Sequence, residues 1–157
     1  VGIKMRFKDD LLYSVALVAL VLVYASTAGN TLYLGYWYLV GVSAIALLPG
    51  LILRTRAMFL TGTTAAMSLT LLIYMSVVSS LGRDGGLMGL GHLFSVPGMF
   101  LGTSVSAWLL RFRMNANLAW VIAGVGFVGA GLGFMVAQVV VCNTVLYCDA
   151  LSYRFYR

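Results

Sequence analysis

Charge is nearly absent from this sequence. Ten Lys or Arg and four Asp make up 9% of the 157 residues, and there is no Glu. Soluble domains are about one quarter charged, whereas 62% of this chain is apolar, which excludes a water-soluble globule and a disordered tail. The net charge of +6 does not indicate a nucleic-acid partner, because the basic residues come in twos and threes along the chain.

The few charges mark the ends of long uncharged runs, which have 43, 26, 26 and 35 residues. A helix that spans a membrane needs ~20 apolar residues, because each adds ~1.5 Å across ~30 Å of hydrocarbon. The first run therefore holds two spans and each other run holds one. The sequence predicts an all-α, polytopic transmembrane bundle with five spans, at about 11–28, 32–53, 57–80, 92–110 and 118–141.

The connections between these spans are short, so residues 1–157 are predicted to form one integral membrane domain. Pro97 and the glycines around it leave one alternative, in which 92–110 is a re-entrant segment and four spans remain. Residues 1–28 resemble a signal peptide in their basic start and apolar stretch. Asp9 and Asp10 and the length of the apolar stretch favour a retained first helix instead.

Lys and Arg are distributed unevenly between the two sides of the predicted bundle. Seven of the ten lie on the side of the N-terminus and three on the other. Short loops rich in Lys and Arg face the cytoplasm, so we expect the N-terminus inside and the C-terminus outside. The expected location is a bacterial cytoplasmic (inner) membrane.

Groups that could perform chemistry are missing from the middle of every predicted span. Ionisable residues within the membrane usually mark proton relays, ion pathways and catalytic centres, but here one His and four Asp all lie near span ends. Asp84 and His92 could form a general-base pair, yet no nucleophile accompanies them. The favoured interpretation is an interfacial histidine and a solvated Arg83–Asp84 pair, and we expect no enzymatic activity.

His92 is also the centre of a weak candidate metal site. Met88 lies four residues before it and Met99 seven after it, which puts all three near one face of a helix. Thioether and imidazole ligands suit copper(I), but no Cys joins them, and haem would lack a second His. The sequence predicts no metal and no cofactor; a cofactor shared between His92 and a partner chain stays an open alternative.

The two cysteines, Cys142 and Cys148, fall at the outer end of the fifth helix. Disulfides persist outside the bacterial cytoplasm, so these residues are predicted to form one. Such a bond requires the helix to end near Cys142, because residues six apart lie on different helical faces. A redox-active pair is the alternative, although the close Cys-x-x-Cys spacing of such pairs is missing.

The strongest pattern in the sequence is the spacing of small residues, which let membrane helices approach closely. Two rows have a period of four, and a third row on the fifth helix ends in the amide that could bond another helix. These rows consist of Gly98, Gly102 and Ser106; Gly129, Gly133 and Ala137; and Gly124, Gly131 and Gln138. They pack helices either within the bundle or against another protein. Their density predicts a central position for the fifth helix.

Missing chemistry, short loops and small-residue faces together predict a non-catalytic membrane protein that acts through helix–helix contacts. It would be an accessory or assembly subunit of a membrane complex, or an immunity-type protein against a membrane-acting toxin. The expected partners are membrane lipids and other membrane subunits, and no nucleic acid. Two alternatives stay open. One is a small transporter, channel component or lipid-handling protein for a neutral or lipid-like substrate. The other is an outer-face redox or metal-linked enzyme using Asp84, His92, Cys142 and Cys148.

Overall fold

The computed structural model describes residues 7–28, 35–81, 86–114 and 118–144. In these residues the chain forms five helices and no strand, which confirms the all-α prediction. The helices are α1 (Phe7–Ala28), α2 (Tyr36–Ile52), α3 (Phe59–Leu81), α4 (Gly86–Phe112) and α5 (Ala119–Thr144). Four of them are long and apolar enough to cross a membrane, and α2 is a shorter apolar helix of 17 residues.

The short length of α2 follows from how it begins and ends. Gly35 precedes it with φ +80°, a left-handed conformation that suits glycine because it has no Cβ. At the other end Leu53 N donates to Pro49 O over 3.0 Å, and Arg54 has φ 47°. At ~1.5 Å per residue, α2 is roughly 25 Å long, slightly less than the hydrocarbon thickness.

The fourth helix runs without a break from Gly86 to Phe112, through Pro97. The four-span alternative with a re-entrant segment at 92–110 is therefore wrong. Proline removes one backbone donor, which helices in a membrane tolerate. The helix also starts six residues before the predicted position, because glycines expected to form a loop are helical here.

The helices alternate in direction, so one end of the bundle carries the arginines of the described residues. Side-chain and backbone contacts join the start of α3 to the starts of α1 and α5. A hydrogen bond joins the end of α4 to the end of α2. We call this end the basic end, and it carries Arg54, Arg56, Arg111 and Arg113. The opposite end, where α4 begins and α5 ends, is called the far end.

The helix at the centre of the bundle is α3, which contacts the other four. Its Met67, Leu71 and Met75 are fully buried in the main apolar core. The main contacts of α5 are with α4 and α3, as predicted for a fifth helix packed on the fourth and on another helix, although α3 rather than α5 contacts all the others. The glycines of α5 serve two close contacts, and its remaining face is open.

Candidate functional site

Asp10 is a buried carboxylate at the basic end. It accepts hydrogen bonds from the backbone N–H groups of Leu60 (3.1 Å) and Thr61 (2.8 Å) and from the Thr61 hydroxyl (2.6 Å). Those N–H groups belong to the first turn of α3, where a helix has no backbone partner for its donors. Asp10 of α1 therefore caps α3, and negative charge there also suits the helix dipole. The sequence analysis did not anticipate this contact.

His92 is buried between helices of the bundle, close to the start of the apolar stretch Leu90–Phe112. The Tyr38 hydroxyl lies 2.6 Å from Nδ1, and the Thr70 hydroxyl lies 3.3 Å from Nε2. The rings of Tyr74 and Phe134 each lie with centroids 4.9 Å from the imidazole. Both ring nitrogens are thus occupied by partners within the chain, and aromatic rings cover the imidazole.

Several of the residues considered as catalytic groups, metal ligands or disulfide partners lie where the structure does not describe their side chains. Asp84 and Cys148 lie outside the described residues, and so does the side chain of Met88. Met99 is buried in the apolar core. Within the described part of the chain, no three His, Cys, Asp or Glu side chains come together as a metal site.

Gln138 lies buried between α4 and α5. Its Oε1 accepts a hydrogen bond from Ser95 over 2.6 Å, and its Nε2 lies 3.3 Å from Cys142 Sγ. The amide therefore links α4 to α5 near the far end. α5 continues past Cys142 to Thr144, and the disulfide to Cys148 stays a prediction.

Replacing Tyr38 by phenylalanine should lower the free energy of unfolding by about 1–2 kcal/mol, because His92 Nδ1 would be left buried without a partner. The matched control is Tyr36→Phe on the same helix, where the side chain is exposed and we expect little change. Thermal unfolding of both variants in detergent micelles measures the difference. Equal stabilities of the two variants would contradict a structural role for this hydrogen bond.

The rows of small residues on α4 and α5 face each other in one seam. A Cβ atom at Gly98 would lie 2.5 Å from Gly133 O, and one at Gly102 would lie 2.9 Å from Gly133 Cα. On the same seam, a Cβ at Gly129 would lie 2.5 Å from Ser106 Cβ. These residues, with Ala137 against Gly98, make close contacts between α4 and α5 inside the chain.

A second close crossing, which the sequence analysis missed, lies between α3 and α5 near the basic end. A Cβ at Gly62 would lie 2.9 Å from Ala123 Cα, and one at Gly126 would lie 2.8 Å from Phe59 O. The signal was present in the sequence, because Gly62 and Ala66, like Gly126 and Ala130, have the four-residue spacing of close-packed helices.

Two glycines of α5 have no such neighbour. At Gly124 and at Gly131, no atom of the described chain outside the adjoining helical backbone lies within 4 Å of an added Cβ. With Val128 and Met135, both exposed, they follow the spacing i, i+4, i+7 and i+11 of a single helical face. We call these four residues the open ridge.

An apolar groove of about 960 Å³ runs between α4 and α5, and its lining includes Gly124 and Val128 of the open ridge. It extends from Leu109 and Trp120 at the basic end to Phe94 and Val140 at the far end. The only hydroxyl in its lining, that of Ser106, donates to Thr103 O over 3.0 Å. The groove is therefore a surface for hydrocarbon.

Comparison with protein-family models, curated proteins and solved structures finds no match to this chain. The function is therefore argued from the chain's own residues. The structural features that bear on it are two close helix crossings, three buried polar residues (Asp10, His92 and Gln138), the open ridge and the groove.

Proposed function

We propose that this chain is a non-catalytic integral membrane protein that binds a transmembrane helix of another membrane protein, as an accessory or assembly subunit. The observation that carries the proposal is the open ridge. A glycine inside a helix costs ~0.5–1 kcal/mol relative to alanine, and in lipid its use is to let a second backbone approach. Gly124 and Gly131 could let a second helix backbone approach closely, and no described residue of this chain packs on them.

The hydrogen bonds that the buried polar groups make within the bundle support the proposal that the protein is not a catalyst. A general acid or base must come within hydrogen-bond reach of its substrate. Asp10 caps α3, both nitrogens of His92 have partners, and Gln138 links two helices. Each of these groups already has a structural role within the bundle.

Most hydroxyls of α3 lend little support to a transporter or channel; the exception is Ser68 Oγ, which is buried and has no hydrogen-bond partner among the described residues. Thr63, Thr64, Thr70 and Ser76 each donate to a carbonyl of α3 itself, three or four residues earlier. Hydroxyls that bond to their own helix do not form a path for a polar substrate. The groove favours hydrocarbon instead, which bears on lipid binding below.

The proposed placement is a bacterial cytoplasmic membrane with the basic end inside. Arg54 and Arg56 lie between α2 and α3, and Arg111 and Arg113 follow at the end of α4. Short basic connections of this kind stay in the cytoplasm. Cys142 would then lie in an oxidising compartment, which supports the proposed disulfide with Cys148.

Purification of the full chain from the membranes of its native host should bring a stoichiometric partner protein. An accessory subunit should carry its partner under ordinary growth, whereas an immunity-type protein should carry one only when the cognate toxin is present. Quantitative mass spectrometry of the purified sample measures the ratio. A stable monomer without a partner, with and without toxin, would contradict both forms of the proposal.

A further inference from the structure

The α4–α5 groove is as long as a bilayer is thick, and a basic residue follows it at the basic end. Its α5 wall extends from Trp120 to Val141, roughly 30 Å at ~1.5 Å per residue, which matches the hydrocarbon thickness. At the basic end Arg113 N donates to Leu109 O over 2.9 Å, so Arg113 continues the groove face of α4 by one more turn. A cation thus lies at one mouth of an apolar groove.

Arg113 and its neighbour Arg111 differ in what they contact. Arg111 Nη1 donates to Leu53 O over 2.7 Å, and its guanidinium lies 5.3 Å from the Phe112 ring, so Arg111 joins α4 to the end of α2. Arg113 is exposed, and within the described residues its guanidinium makes no ion pair or hydrogen bond. Trp120, which lines the same mouth and is 72% exposed, belongs to the residue type that anchors at headgroup level.

We infer that the basic-end half of this groove holds one anionic phospholipid, with its phosphate on Arg113 and its acyl chains along Leu109, Val105 and Trp120. Guanidinium pairs with phosphate through two parallel hydrogen bonds, and basic pockets between membrane helices bind anionic headgroups. The apolar lining suits acyl chains. A lipid of one leaflet reaches only to the bilayer centre, ~15 Å, so it covers half of the groove.

A partner helix in the same groove would behave differently, because it would contact the full length from Leu109 to Phe94. The cation at the basic-end mouth and the apolar side chains of the lining favour the lipid. Helices in a membrane associate through close backbone contact or hydrogen bonds rather than through apolar burial, and four of the five glycines in the lining, all except Gly124, are already closed against the neighbouring helix. The lipid and the partner helix proposed for the open ridge would meet at Gly124 and Val128, which belong to both surfaces. The two proposals are tested separately, because Arg113 lies outside the open ridge.

Two tryptophan substitutions separate a one-leaflet lipid from a partner helix. Val105 lies ~12 Å from Arg113 along α4, whereas Val136 lies ~24 Å from Trp120 along α5, in the far-end half. Both side chains line the groove and both are mostly exposed, at 57% and 65%, so neither Val105→Trp nor Val136→Trp disturbs internal packing. Arg113→Gln removes the charge and leaves the groove unchanged.

The experiment reconstitutes the full chain in vesicles of phosphatidylglycerol in an excess of phosphatidylcholine and counts retained lipids by native mass spectrometry. The wild type and Val136→Trp should each retain one phosphatidylglycerol, and Val105→Trp should retain none. Arg113→Gln should bind phosphatidylglycerol about fivefold more weakly, as one basic residue near the headgroups contributes ~1 kcal/mol. Circular dichroism confirms that each variant is folded.

Either of two results would overturn the inference. In the first, the wild type retains the two lipids in the ratio in which the vesicles contain them, so that Arg113 makes no selection. In the second, Val136→Trp removes phosphatidylglycerol as completely as Val105→Trp, so that the occupant extends through both leaflets. Because Arg113→Gln changes only a surface charge, it tests the selection even if a tryptophan variant does not fold.

Discussion

Replacement of Gly102 by alanine should separate α4 from α5 and prevent the chain from reaching a stable fold. The added Cβ would lie 2.9 Å from Gly133 Cα and 3.1 Å from Gly133 N, which are backbone atoms and cannot rotate away. Overpacked cores usually lose ~1–3 kcal/mol, and a clash between two backbones belongs at the upper end of that range or beyond. We expect a loss of about 3 kcal/mol or more in the free energy of unfolding.

The matched control for Gly102→Ala is Gly131→Ala on the opposite side of the same pair of helices. No described neighbour lies within 4 Å of a Cβ at Gly131, so that variant should be unchanged or up to ~1 kcal/mol more stable, because alanine favours the helix. Thermal or SDS-induced unfolding, followed by circular dichroism, measures both. Equal effects of the two substitutions would show that the seam does not hold α4 against α5.

Asp10→Ala should lower the free energy of unfolding by about 3 kcal/mol, an effect as large as that expected for Gly102→Ala. The change removes a carboxylate that accepts three hydrogen bonds and leaves the N–H groups of Leu60 and Thr61 without an acceptor. Hydrogen bonds to charged groups contribute ~1.5–3 kcal/mol, and loss of a helix cap costs ~0.5–2 kcal/mol. The adjacent Asp9→Ala is the control, because Asp9 is exposed and should lose less than 1 kcal/mol.

The same unfolding assay tests Asp10, with hydrogen exchange at the first turn of α3 as a second readout. Asp10→Ala should speed amide exchange at Leu60 and Thr61, whereas Asp9→Ala should leave it unchanged. If the two aspartates proved interchangeable in both measurements, α3 would not depend on a cap from α1.

The number of helices and their approximate bounds could be read from the sequence because charges are so few. Each uncharged run had to cross the hydrocarbon, and helices satisfy backbone hydrogen bonds there. The start of α4 could not be read in this way, since Gly86 and Gly89 have the composition of a loop although the chain is helical there. The contacts of α3 with all four other helices were not predicted either, because the spacing of residues along one helix does not show how many neighbours it has.

The candidate site was predictable only in part, because sequence spacing describes one helix at a time and the site is formed by contacts between helices. Spacing within one helix reveals which residues share a face, and the rows on α4 and α5 were found in this way. Spacing does not reveal which face meets which, so the seam and the open ridge could not be told apart. Asp10 and His92 bond to residues 50 or more positions away or on other helices, and no local pattern records such contacts.

The most direct test of the proposed function compares Gly131→Leu with Gly41→Leu in the co-purification experiment. Both glycines lie in helices, and at both an added Cβ has no described neighbour within 4 Å, so each variant should fold like the wild type. Only Gly131 lies on the open ridge. The account predicts that Gly131→Leu purifies as folded protein without its partner while Gly41→Leu retains the partner. Retention of the partner by Gly131→Leu would contradict it.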